Sequence, residues 1–75
     1  MDIVEVLWRD SCGYSDWHDS GGLYTVKPEN VTSLGYLVKD EDDYIVITSS
    51  VSDNQNNQGT LAIPKSAILE IQHYT

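Results

Sequence analysis

The chain has 75 residues, a net charge of −8 from 12 acidic and 4 basic side chains, and a single cysteine. That length makes one domain (1–75) with a thin core, since a chain this short buries only about 60–65% of its unfolded surface. The acidic excess and the lack of any Lys/Arg cluster exclude general binding to a phosphate backbone or an anionic membrane, and the lone Cys12 excludes an intrachain disulfide.

Charge is spread evenly: on each side of Leu37 there are six acids and two bases, so no basic half hides in the average. His18 and His73 lie far apart, and no Cys/His cluster has zinc spacing. Small scaffolds often lean on disulfides, metals or a second chain. The first two are missing from this sequence, so it is expected to form a homo-oligomer and to need no cofactor. Asp2 and Glu5 near the start, with no basic region, read as the absence of a signal peptide. No apolar run reaches membrane-spanning length. A lone cysteine without a pairing framework fits a reducing, cytosolic setting.

In chain order, residues 3–9 alternate, with Val4, Val6 and Trp8 on one face and Ile3, Glu5, Leu7 and Arg9 on the other, the pattern of a half-buried strand. Residues 10–22, DSCGYSDWHDSGG, have neither helical nor strand period and read as a long loop with at most one helical turn. Residues 23–26 suit a short edge strand, and Pro28 with Asn30 a turn. Residues 33–39 form a strand with Leu34, Tyr36 and Val38 on one side. Gly35 lies opposite them, where a bend or a close backbone approach is expected. The acids at 40–43 make a charged hairpin turn, and residues 44–51 pair back. NQNNQG (54–59) is amide-rich and reads as a disordered loop. Residues 61–63 form a strand that Pro64 ends, Ser66 caps one helical turn, and residues 69–74 close the sheet. The sum is an all-β fold, a small five-stranded SH3-like or Sm-like barrel with one short helical turn before its last strand.

Three places carry polar or aromatic residues with chemical potential. The loop at 10–19 concentrates Asp10, Ser11, Cys12, Tyr14, Trp17 and His18; Tyr14 and Trp17 offer stacking faces for a base, whereas the plain reading makes Trp17 a plug for one end of the barrel. Cys12 with His18 lacks an orienting third group, and its acidic surroundings work against a thiolate. The acids 40–43 lack the spacers and glycine of a calcium loop, so a solvated tip explains them. Ser50 and Ser52 at one strand end, with Lys65 before the helical turn, would make a polar pocket for a phosphate or carboxylate if those ends meet; a surface lysine and an N-cap explain the same residues without a ligand.

Taken together, VEVLWRDSCGYSDW, VTSLGYLVKDEDDYIVITSSVSDN and LAIPKSAILEI resemble a family of short, uncharacterised bacteriophage proteins, over most of the chain. The resemblance implies a phage origin and the host cytoplasm as setting. In that pattern the positions of Trp8, Asp10, Ser11, Trp17, Gly35, Tyr36, Ser50, Ser52, Pro64 and Lys65 recur. The sequence-level expectation is therefore a non-enzymatic binding protein that sequesters a small anionic, nucleotide-like defence signal. Asp10, Ser11, Tyr14, Trp17, Ser50, Ser52 and Lys65 would be its ligand-binding residues: Trp17 and Tyr14 stack, Ser11 and Ser52 hydrogen-bond, and Lys65 supplies charge. Two alternatives stand beside it: an acidic protein-interaction module that inhibits a host protein, and a phage assembly component. No acid–base pair, metal cluster or Gly-rich phosphate loop points to an enzyme.

Overall fold

The computed structural model describes residues 2–11 and 27–74. They form one open antiparallel sheet of five strands: β1 (Ile3–Asp10), β2 (Glu29–Asp40), β3 (Tyr44–Val51), β4 (Asn57–Pro64) and β5 (Ile68–Tyr74). The spatial order is β4-β3-β2-β1-β5. A single 3-10 turn, Lys65–Ala67, links β4 to β5. Among the described residues β4 and β5 do not pair, so the closed barrel read from the sequence is here an open sheet.

Hydrophobic alternation in β1 explains its placement. Val4, Val6 and Trp8 are buried and pack with Ile45 and Ile47 of β3 and Ile63 of β4 in one core. In a flat sheet β1 and β4 would stand three strand spacings apart, about 14 Å. Their shared core therefore requires the sheet to curl around β2. That curl is built into β2 itself. Its first part, Glu29 to Tyr36, faces β1, and its second, Tyr36 to Asp40, faces β3, with a register shift between Leu37 and Lys39.

Gly35 sits where the two halves of β2 meet. A Cβ there would lie 2.8 Å from the Thr48 carbonyl oxygen of β3. The close backbone approach expected at this position is thus present, and only glycine permits it.

The amide-rich segment is not a disordered loop: Asn57, Gln58 and Gly59 belong to β4. The hairpin turn before them is closed by Ser52. Its N–H donates to the Asn56 carbonyl (2.8 Å), its carbonyl accepts from the Gln55 N–H (2.9 Å), and its hydroxyl accepts from the Asn56 N–H (3.1 Å). Gln55 takes a left-handed φ of 65° to complete the turn. Polar side chains here close the turn rather than loosen it, which composition alone does not reveal. The helical turn also differs in detail. Pro64 is the last residue of β4 and stands at its N-cap, Ser66 lies within it, and no side chain caps it. The edge strand expected at 23–26 lies outside the described residues.

Candidate functional site

Of the seven ligand-binding residues expected from sequence, Tyr14 and Trp17 lie outside the described residues. The other five fall in three places. Asp10 ends β1 and Ser11 follows it, both exposed. Ser50 and Ser52 stand at the β3–β4 turn. Lys65 opens the 3-10 turn at the opposite end of that hairpin, because Pro64 pairs with Tyr44 while Ser50 pairs with Gln58. Tyr44 and Ser50 are six residue steps apart along β3, about 20 Å. The polar pocket imagined between Ser52 and Lys65 is therefore not assembled.

Lys65 is also engaged. Its ammonium meets the Asp40 carboxylate at 2.7 Å, and its backbone N–H donates to the Asp43 carbonyl at 2.8 Å. Both ties fix the turn to the β2–β3 tip. That tip reads as a solvated acidic cap in which two lysines take up part of the charge. Lys39 lies 3.7 Å from Glu41 and over the Tyr44 ring, 5.5 Å from its centroid. Tyr44 first, and then the Glu41 carboxylate, raise the Lys39 ammonium above its ordinary pKa. No group of three or more His, Cys, Asp or Glu is placed to hold a metal among the described residues. No helix there is long and apolar enough to cross a membrane.

The hydroxyls near the hairpin turn are likewise spent on structure. Thr48, buried, donates to the Gln58 carbonyl at 2.9 Å, and the Ser49 hydroxyl donates to the same oxygen at 2.9 Å. A carbonyl has two lone pairs, so both bonds are satisfied. Gly59, facing Ser49, holds a left-handed φ of 72°, and a Cβ there would run into the Ser49 side chain. A shallow depression of about 410 Å³ runs past Ser50, Ser52, Asn56 and Gln58. It carries no cation.

Two features were not legible from the sequence. The first is a depression of about 450 Å³ lined by Arg9, Lys27, Pro28, Glu29 and Asn30. Arg9 and Lys27 are far apart in the chain, but pairing of Arg9 with Asn30 and of Asp10 with Glu29 brings them together. They are half of the chain's basic residues. Asp10 and Ser11 follow Arg9 in the chain but do not line this depression. The only sequence signal was that Arg9 and Lys27 flank the 10–22 segment.

The second is the outer face of β2, β1 and β5. Cross-strand register sets Tyr36, Ile3 and Tyr74 in one row, with Leu34 beside Glu5 in the next. All four apolar residues are exposed, Leu34 most of all at 62%. A smaller depression of about 210 Å³ lies among Ile3, Leu34, Gly35, Tyr36 and Ser49. Glu5, Glu70 and Gln72 flank the row on the same face, as their pairing across β1 and β5 requires.

Compared with protein-family models, curated proteins and solved structures, the chain finds no match.

Proposed function

We propose that this chain is a non-enzymatic binding protein whose working surface is the outer face of β2, β1 and β5. The observation that carries this is the exposed Tyr36–Ile3–Tyr74 row with Leu34 beside it. A small soluble domain seldom leaves large apolar side chains grouped on one face unless something covers them. Acids rim that face, and the whole chain is acidic. The partner that fits is a protein with an apolar strip bordered by Lys or Arg side chains, with charge guiding the approach and the apolar row holding it. In the phage setting that the sequence resemblance suggests, such a partner is a basic host protein. The curl of the sheet, the order of its strands and the 3-10 turn before β5 support a small SH3-like or Sm-like barrel as the frame.

The test is capture from bacterial lysate on the immobilised chain, with Leu34→Asp as the comparison. A basic protein retained by the native chain, released by salt and lost with Leu34→Asp is the expected result. Capture unchanged by Leu34→Asp would overturn the assignment to this face.

A second reading has its own observation: the Arg9–Lys27 depression at the Asp10–Ser11 end. It supports a small anionic, nucleotide-like ligand, with the two cations supplying the charge first assigned to Lys65. Calorimetry with cyclic and ADP-ribose-type nucleotides tests it. Binding that disappears in the Arg9→Ala, Lys27→Ala double variant and survives Lys65→Ala supports this reading; silence across the panel removes it.

A further inference from the structure

The two edges of the sheet are unequal. The β4 edge ends in Pro64, which has no N–H to offer, and is kinked at Gly59 by its left-handed φ of 72°. Both are devices that keep an edge from pairing with another strand. The β5 edge has neither, although its pairing with β1 skips Leu69, a single bulge opposite Leu7 and Trp8. Its seven residues, ILEIQHY, contain no proline, glycine, lysine or arginine, and none of them is buried. Leu69, Ile71 and Tyr74 are among the exposed large apolar residues, at 55%, 36% and 45%. Ile71 stands opposite Val6 of β1, so it lies on the core side of the sheet, and yet it remains open at the rim. Among the described residues no strand lies along its outer side. An edge free of proline, glycine and lysine, with an exposed apolar residue on its core side, is a template for one more strand.

We propose that the strand added there is β5 of a second copy of this chain, antiparallel about a twofold axis at Ile71. The sequence of β5 chooses this occupant because it is self-complementary. A symmetric antiparallel pair must place one residue opposite its own copy. Centring on Ile71 runs the pairing along the full length of β5, regular from Glu70 to Gln72 and with the Leu69 bulge toward its ends. It then sets Ile71 against Ile71, Glu70 against Gln72 and Leu69 against His73. Centring on Glu70 instead would oppose two carboxylates, which is destabilising. The chosen register lets two strongly acidic chains meet along a line carrying one carboxylate per copy, with each carboxylate facing an amide. The inner apolar layer continues across the joint, and the interface is isologous. Joining two thin cores this way supplies the support that a chain of this size, without a disulfide, obtains from association. Ile3, Leu34 and Tyr36 stay outside the joint, so each dimer would present them twice, with Tyr74 at each end of the joint opposite Ile68.

Native mass spectrometry over a dilution series reads the copy number, and cysteine cross-linking reads the register. In a Cys12→Ser background, Ile71→Cys puts two thiols on directly opposed residues, with Cα atoms about 4.5–5.5 Å apart and within disulfide reach. His73→Cys is the control. It faces Leu69 of the other copy, so the two new thiols would lie about 14 Å apart along the strands and cannot bridge. The expected result is a concentration-dependent dimer and, under mild oxidation, on the order of tenfold more cross-linked dimer from Ile71→Cys than from His73→Cys. Leu69→Lys, at an exposed position that leaves the fold intact, is expected to return the chain to monomer. A monomer at every concentration, equal cross-linking from both cysteines, a ring of more than two copies, or a dimer indifferent to Leu69→Lys would each overturn the proposal.

Discussion

The two faces of β1 and β2 are about equally apolar in sequence, and only one of them is buried. On the inner side stand Val4, Val6 and Trp8, all buried, with Gly35. On the outer side stand Ile3, Leu7, Leu34 and Tyr36, three of them among the exposed large apolar residues. In β2 the contrast is inverted from what side-chain hydrophobicity suggests. Leu34 and Tyr36 point out, and the residue between them, which has no side chain at all, is the one pressed against the core. What decides the matter is the approach of β3: its Thr48 carbonyl needs the space that a Cβ at position 35 would take. Apolar content indicates that a strand has a buried side, but which side is buried follows from where the neighbouring backbone must pass.

The comparison can be broken most forcefully from the inside. Ile63→Ala removes a fully buried side chain from the point where β4 meets the core of β1 and β3. A loss of about 2–5 kcal/mol in unfolding free energy is expected from urea titration. With only six buried apolar residues among the described residues, the upper part of that range is enough to unfold the domain. Gly35→Val should follow closely. The added side chain meets backbone, which cannot rotate away, and a loss of about 2–3 kcal/mol is expected by the same titration.

The outer face gives the opposite sign of evidence. Leu34→Asp is expected to cost about 1 kcal/mol, because the side chain is 62% exposed and the new carboxylate faces Glu5 across the pairing, while abolishing partner capture. A large loss of stability from Leu34→Asp would mean that this face is covered within the chain itself. Smallest of all is Lys65→Ala. The pair with Asp40 is exposed on both sides, so removing it should cost between about 0 and 1 kcal/mol, and raising the salt concentration should shrink the difference between the two proteins.

Much of the strand pattern was legible. Val4, Val6 and Trp8 announced β1 by alternation, the acids at 40–43 announced the hairpin tip, and Gly35 announced the close approach. Trp8 adds a detail that alternation does not carry: its indole N–H donates to the Ser33 hydroxyl at 3.0 Å, which lets a large polar-tipped ring be buried at no cost in unpaired groups. The segment 54–59 was misread because its composition is that of a loop. Its order comes from Ser52, Gln55 and Asn56 bonding to one another, and from Thr48 and Ser49 both reaching the Gln58 carbonyl. Those are pairings between residues, invisible to a count of residue types. The candidate site was legible only in part for a related reason. Arg9 and Lys27 belong together through the register of β1 on β2, and register is a long-range property that neither residue's neighbourhood encodes. Lys65 looked like a free cation because its partner, Asp40, is brought to it only by the hairpin.

The unequal reach of the strand pairings also orders events in time. β3 and β4 are joined by the short turn at Ser52–Asn56, whereas β1 and β5 bring Ile3 to Tyr74. Closing the longer loop costs about 2 kcal/mol more in chain entropy, and it has little buried apolar surface on β5 to offset it. Assembly is therefore expected to start at the β3–β4 hairpin and run outward through β2 to β1, with β5 the last strand to arrive and the first to leave. During that interval the newly made protein exposes both β1 and β5, and a neighbouring copy at high concentration competes with the chain's own last strand for the same edge.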